Sequence, residues 1–224
     1  MNFPPMDGSR KCWRVNGITY YWRNGQLICR TSKNEKRTPR KDENGKELPL
    51  RSPAQEKSSS VFSEAQAMTK AYFLAHGHLQ IWVVAPKTKP GQSSWALHRH
   101  LNKAAYVPDE GVRYFNSYRF SHGILELPDN FTVRRDGWHI TLEWEDDRDH
   151  PAAAAGDLLF VGYFHEGYPR APLLVPVTGA TRGEQRAEFD IPPLDQPDGG
   201  ALHLYPFFGR ADKSAYAGSY YMRC

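Results

Sequence analysis

The chain has few cysteines and no long apolar segment. Cys12, Cys29 and Cys224 are too few and too unevenly spaced for a disulfide framework, so we expect free thiols. No segment approaches the ~20 consecutive apolar residues that a membrane span requires, and the first residues lack the apolar stretch of a signal peptide. The sequence therefore predicts a cytoplasmic protein without a membrane span.

The common catalytic signatures are also missing. The sequence contains no Gly-x-Ser-x-Gly elbow, no phosphate-binding loop and no dinucleotide fingerprint. We predict no catalytic residues and no cofactor. Because many active sites have no recognisable motif, an enzyme with a motif-free site stays open as an alternative.

Acidic residues are scarce in the first quarter of the chain. Of the 224 residues, the first 60 hold 13 of the 29 Lys and Arg but only 6 of the 25 Asp and Glu, a net charge of +7. The rest of the chain is net −3. Because clustered basic charge attracts phosphates, nucleic acid is an alternative partner for this quarter.

Two Asn-Gly pairs, Asn16-Gly17 and Asn24-Gly25, separate three β-prone segments. Asn-Gly suits two-residue hairpin turns, in which both central residues need a positive φ. Residues 1–30 are therefore predicted to form a three-stranded β-meander. Its middle strand carries aromatic rings on both faces, since Tyr20 and Tyr21 alternate sides.

Three further regions follow in the chain. Residues 31–51 are polar and charged, which predicts a basic flexible loop. Residues 52–127 are predicted to be helical: Ser52 and Pro53 begin one helix that runs to about Ala75, and a second spans 93–105. Residues 128–224 alternate in short strands and turns, which is typical of a seven-stranded immunoglobulin-like or fibronectin-III-like sandwich. The predicted fold class is mainly β with a helical insert.

Six short segments spread over most of the chain occur in a characteristic order. They are Tyr-Tyr-Trp-Arg-Asn-Gly at 20–25 with Arg30, Arg-Ser-Pro-Ala-Gln at 51–55, Asn116, Ser-His-Gly-Ile-Leu at 121–125, Thr-Leu-Glu-Trp at 141–144 and His-Leu-Tyr at 203–205. In this order the chain resembles an uncharacterised family of unknown function found mainly in Bacteroidota. It differs in having His122 within the fourth segment and Glu56 where basic residues usually follow. The resemblance implies an immunoglobulin-like C-terminal half and brings no assigned activity.

Two histidine pairs and one acidic run suggest metal ligands. His76 with His78, and His98 with His100, are spaced by two residues, which points the rings apart on a helix, so we predict surface or capping histidines and no metal. The acidic run at 143–149 lacks the regular spacing of a calcium loop. We predict a solvated loop there.

The sequence favours a non-catalytic structural or protein-interaction module. A three-stranded sheet with rings on both faces is too small to be stable alone, so we expect the meander to contact another protein or a second copy of the chain. The predicted contact residues are Tyr21, Trp22, Arg23, Arg30, Lys33, Lys36, Arg37 and Arg40. A nucleic acid is the alternative partner of the same residues.

Overall fold

The protein is mainly β, with several antiparallel sheets and a few helices. The computed structural model describes residues 12–15, 18–23, 26–31, 41–47, 49, 51–146, 152–175, 179–193 and 200–224. The chain forms two compact units, Met1–Ala54 and Gln55–Cys224. Among the residues in these ranges, no helix is both long and apolar enough to cross a membrane.

The first unit contains a three-stranded antiparallel sheet in sequential order. Its strands are β1 (Cys12–Val15), β2 (Ile18–Arg23) and β3 (Gln26–Thr31). Val15 pairs with Ile18, and Arg23 pairs with Gln26, so each connection spans two residues, as the Asn-Gly pairs predict. The Asn-Gly pairs themselves lie outside the described residues.

Only part of the predicted flexible loop at 31–51 is described, because residues 32–40, 48 and 50 lie outside the described ranges. Residues 41–47 form a closed turn in which Lys41 bridges to Glu47. The Asp42 carboxylate closes it by accepting hydrogen bonds from the backbone N–H groups of Asn44 and Lys46, at 2.9 and 2.8 Å. This is an Asx-type turn, the local structure that Asp favours between charged residues.

The second unit begins with three helices and a small hairpin. These elements are α1 (Pro53–His76), α2 (Ile81–Val84), α3 (Ser94–Asn102), β4 (Tyr106–Val107) and β5 (Gly111–Val112). The predicted starts of α1 and α3 are confirmed, and the Ser93 hydroxyl accepts a hydrogen bond from the Ala96 N–H at 3.2 Å. The predicted second helix ends earlier, at Asn102, where a 3-10 turn begins. Neither α2 nor the hairpin was predicted.

The rest of the second unit forms two antiparallel sheets. Their strands are β6 (Asp129–Asp136), β7 (His139–Glu145), β8 (Leu158–His165), β9 (Leu173–Leu174), β10 (Arg186–Asp190), β11 (Leu202–Gly209) and β12 (Met222–Arg223). One sheet has the order β10-β7-β6 and the other β12-β11-β8-β9. Both sheets contribute side chains to one hydrophobic core.

Both faces of the four-stranded sheet are covered. Along β8, Leu159, Val161 and Tyr163 enter the core shared with the other sheet. The alternate residue Phe164 enters a second core, together with Phe207 of β11 and apolar side chains of α1, α2 and α3. The sheet is therefore the middle layer of the second unit, with helices on one side and strands on the other.

The sequence pattern predicts a final strand over residues 214–222, but the regular strand β12 covers only Met222–Arg223. Only Met222–Arg223 pair with β11, apart from an isolated bridge between Gly209 and Tyr216. The intervening residues bond on both sides. The Ala217 and Tyr220 N–H groups donate to the Phe208 and Pro206 carbonyls of β11 at 2.7 and 2.9 Å. On the other side, the Leu125 N–H donates to the Tyr216 carbonyl at 3.0 Å, and the Ser121 hydroxyl donates to the Ala217 carbonyl at 2.6 Å. The segment thus lies between β11 and residues 121–125, and it bonds irregularly to both.

Gly162 of β8 allows the helical layer to approach the sheet. A Cβ at this position would lie 2.3 Å from ring atoms of Phe120, which is buried in the second core. The Phe120 ring cannot move away from an added Cβ, because it also packs against Tyr72 and Tyr205. Only glycine permits this contact.

Replacing Gly162 with alanine should therefore destabilise the fold by about 1–3 kcal/mol, the usual cost of overpacking a core. Urea unfolding measures this change. Gly156→Ala is the matched control, because an added Cβ there meets nothing within 4 Å. Equal unfolding midpoints for the two variants would contradict the packing role of Gly162.

Candidate interaction surface

Strands β2 and β3 place apolar side chains side by side on an exposed sheet. Trp22 lies opposite Leu27, and their side chains are 41% and 40% exposed. Tyr20 lies opposite Cys29 on the same face, where Cys29 is an exposed free thiol. Because large apolar side chains usually leave water on folding, this face has the chemistry of a contact surface.

The opposite face combines an aromatic ring with a cation. Tyr21 pairs with Ile28, and Arg30 lies two pairs further along β3, opposite Thr19 and on the same face. The Arg30 guanidinium carbon is 6.0 Å from the centre of the Tyr21 ring, at the limit of a cation–π contact. Tyr21 is only half-buried and Arg30 is exposed.

The predicted contact residues fall into two groups. Tyr21, Trp22 and Arg30 lie on one small sheet, and Arg23 is described by its backbone pairing with Gln26. Lys33, Lys36, Arg37 and Arg40 lie outside the described residues. Sequence reasoning missed Leu27 and Ile28, although a two-residue turn already fixes them as the cross-strand neighbours of Trp22 and Tyr21.

The prediction of surface histidines is wrong for His76 and His98. His98 is fully buried, and His76 is 7% exposed. The His76 ring donates through Nε2 to the Pro172 carbonyl at 2.9 Å. His78 and His100 are exposed, as predicted. His98 faces α1, and His76 faces the chain at Pro172, so both are buried by residues distant in sequence that a single-helix pattern cannot reveal.

His98 lies at the centre of a buried polar cluster. Its Nδ1 is 2.9 Å from the Thr69 hydroxyl of α1, and its Nε2 is 3.4 Å from the Tyr118 hydroxyl. The Tyr72 and Trp82 rings pack against the imidazole, and burial lowers its pKa to about 3. The histidine is therefore neutral at neutral pH and links α3 to α1 within the core.

The predicted solvated acidic loop is wrong for Asp146. Its carboxylate accepts a hydrogen bond from Nε of Arg182 at 2.5 Å, and both side chains are 1% exposed. Arg182 also donates to the Glu126 carbonyl at 2.6 Å, while its own carbonyl accepts from the Trp144 indole at 2.8 Å. The acidic residue thus neutralises a buried cation. Asp147 and Asp149 lie outside the described residues.

The outer face of the β10-β7-β6 sheet is charged. An open depression of about 500 Å³ there is lined by Arg134, Thr141, Glu143 and Arg186 among others. Arg186 donates to Glu143 at 3.1 Å and to Glu188 at 2.6 Å, so opposite charges neutralise each other. Within the described ranges, no group of three His, Cys, Asp or Glu side chains is placed to hold a metal ion.

Comparisons with known proteins identify no relative by sequence. No family model matches the chain, and no curated protein matches it. Among solved structures, 46% of the chain is similar to the crystal structure of chicken CNTN1 FN1-FN3 domains, at 13% identity and a TM-score of 0.33. The aligned part spans about a third (33%) of that chain. The resemblance to a Bacteroidota family stays a prediction.

Acid should destabilise the second unit before its carboxylates are protonated. Burial lowers the pKa of His98 to about 3 and that of His203 to about 4, and it also lowers the pKa of His76. The unfolded chain binds these protons below 6.5, so stability is full above pH 6.5 and falls as the pH drops towards 4.

His98, with a folded pKa of about 3, contributes a slope of about 1.4 kcal/mol per pH unit within this window. Urea unfolding between pH 7 and 4.5 should show a steeper fall for the wild type than for His98→Gln, which cannot take up the proton. Parallel curves for the two proteins would contradict the buried neutral state of His98.

Replacing the buried Arg182 should lower the free energy of unfolding far more than replacing the exposed Arg186. Arg182→Met removes the buried ion pair between Arg182 and Asp146, and we expect the free energy of unfolding to fall by about 3–5 kcal/mol. Arg186→Met, which removes exposed pairs on the outer face, is the control and should cost much less. Equal losses in chemical denaturation would show that burial of the Arg182 pair does not matter.

Proposed function

We propose that the protein is a non-catalytic interaction module. In this proposal the second unit is the scaffold, and the N-terminal meander is the contact surface for another protein chain. The observation that carries the proposal is the exposed pair Trp22 and Leu27, which lie opposite each other on neighbouring strands of a small sheet.

The chemistry of the meander supports a protein partner. Strands β1, β2 and β3 contain no acidic residue and several aromatic residues. Aromatic residues and arginine are enriched at protein interfaces, where they bury a large area with little loss of conformational entropy. Trp22, Tyr21 and Arg30 are residues of this kind. Covering Trp22 and Leu27 with a partner would remove their apolar area from water.

The order of the strands supports an immunoglobulin-like or fibronectin-III-like class for the two large sheets. Strand β7 pairs with β10, and β8 pairs with β11, so neighbours in each sheet are separated in sequence. Crossing connections of this kind are typical of Greek-key sandwiches. A fold of this class commonly serves as a scaffold for contact surfaces, which is the role proposed for the second unit.

A nucleic acid is the second candidate partner. The Arg30 guanidinium lies beside Tyr21, and Trp22 is exposed. Proteins that bind single-stranded nucleic acids use cations of this kind for the phosphates and aromatic rings for base stacking. Binding to single-stranded DNA or RNA that weakens steeply with salt would favour this candidate over a protein partner.

Protein contacts through the meander can be tested by chemical cross-linking in cells of the native organism, followed by mass spectrometry. The wild type should form cross-linked products that Trp22→Ala combined with Leu27→Ser removes, because the exposed apolar pair is gone. Tyr168→Ala is the matched control, since Tyr168 is 42% exposed in the second unit. Identical products from all three proteins would contradict the assignment of the contact to the meander.

A further inference from the structure

Within the described part of the chain, one edge of the meander has no partner strand. Strand β3 pairs with β2, and no described strand pairs with its other side. Arg23 and Gln26 flank a two-residue connection, so they form the hydrogen-bonded pair that closes the hairpin. Hydrogen-bonded pairs then alternate along the strand. The N–H and C=O groups of Leu27, Cys29 and Thr31 therefore point to the open edge.

This edge lacks the protection seen in the second unit. There, β9 and β12 are only two residues long, and β10 presents Arg186, Glu188 and Asp190 outwards. Strand β6 has an irregular register near Asn130, whose φ is positive. Short, charged or irregular edges resist pairing with other chains. Strand β3 has six residues in an uninterrupted register, with neither proline nor acid.

The side chains of β3 are arranged symmetrically about Ile28. From Gln26 to Arg30 they are polar, apolar, apolar, apolar and polar, with Cys29 as a small apolar residue. In an antiparallel copy with Ile28 opposite Ile28, Leu27 lies opposite Cys29 and Gln26 lies opposite Arg30. Apolar residues then meet apolar residues, and the two arginines are kept apart.

Other registers are worse. A shift by one residue places the outward backbone groups of one copy against groups that already bond to β2 in the other. A shift by two residues places Ile28 opposite Arg30 or Gln26, so the apolar centre of one strand meets a polar end of the other. Of these registers, the one with Ile28 opposite Ile28 satisfies both the backbone hydrogen bonds and the side-chain contacts.

We propose that the partner of the meander is a second copy of this chain, paired β3 to β3 about a twofold axis at Ile28. The proposal rests on the proposed function, which assigns the contact to the meander. The paired copies form a six-stranded sheet. On one face, Leu27 and Cys29 of both copies lie together beside Trp22, and this apolar strip is larger than either copy has alone.

Charge substitutions at the two edge positions test the register. Leu27→Lys with Cys29→Lys places lysine opposite lysine twice, and we expect the dimer dissociation constant of the full chain to rise by about tenfold or more. Leu27→Glu with Cys29→Lys places glutamate opposite lysine and should restore dimerisation. Light scattering over a dilution series, against the 25.6 kDa monomer mass, measures both.

A monomeric wild type at every concentration would overturn the proposal, as would a dimer that both double variants weaken equally. If the wild type is monomeric while its cellular cross-links still depend on Trp22 and Leu27, the second copy is excluded and the proposed function stands. If the wild type forms no dimer and its cross-links do not depend on Trp22 and Leu27, the dimer proposal and the proposed function both fail.

Disulfide trapping tests the axis itself. In a chain with the three native cysteines changed to serine, Ile28→Cys places two thiols on a directly opposed, non-hydrogen-bonded pair about 4.5 Å apart at Cα, within disulfide range. Gln26→Cys, on the same face, is the control, because its two copies lie about 13 Å apart along the strand. A covalent dimer from Ile28→Cys alone supports the axis, and equal trapping of both overturns it.

Discussion

The packing of the second unit depends on its four-stranded sheet, which is covered on both faces. Strands β8 and β11 are buried along their whole lengths, apart from half-buried Leu158 and Phe160. The close approach of Phe120 to Gly162 allows the helical layer to lie on one face, while the three-stranded sheet covers the other. With both faces occupied, this sheet has only its edges and ends to present to water, and those edges are short.

Buried polar groups connect neighbouring elements within the layers. His98 joins two helices through Thr69, and Arg182 joins Asp146 to the Glu126 carbonyl. A charged or polar group in a core is stable only when its partners are in place, so each contact penalises alternative packings. The perturbed groups of this unit thus serve the fold, and the exposed apolar groups of the meander are the better basis for function.

Local chemistry predicted much of this arrangement. The Asn-Gly pairs positioned the meander strands, and Ser52 and Ser93 marked helix starts, because turns and caps depend on neighbouring residues. Burial of His98 and Asp146 depends on Thr69 and Arg182, which are distant in sequence. The irregular segment before β12 also bonds to residues 121–125, which are distant in sequence. The residue types of Tyr21, Trp22 and Arg30 predicted them as contact residues. That β3 is an edge strand was known only once the strand order was observed.

Hydrogen exchange at the backbone of β3 tests the central claim most directly. The N–H groups of Ile28 and Arg30 bond to β2 within one chain, so their exchange should be slow at all concentrations. The N–H groups of Leu27 and Cys29 point to the open edge and are protected only when a second copy pairs there. We predict that their protection rises with protein concentration and is lost in the double-lysine variant. Fast exchange of both at every concentration would contradict the account.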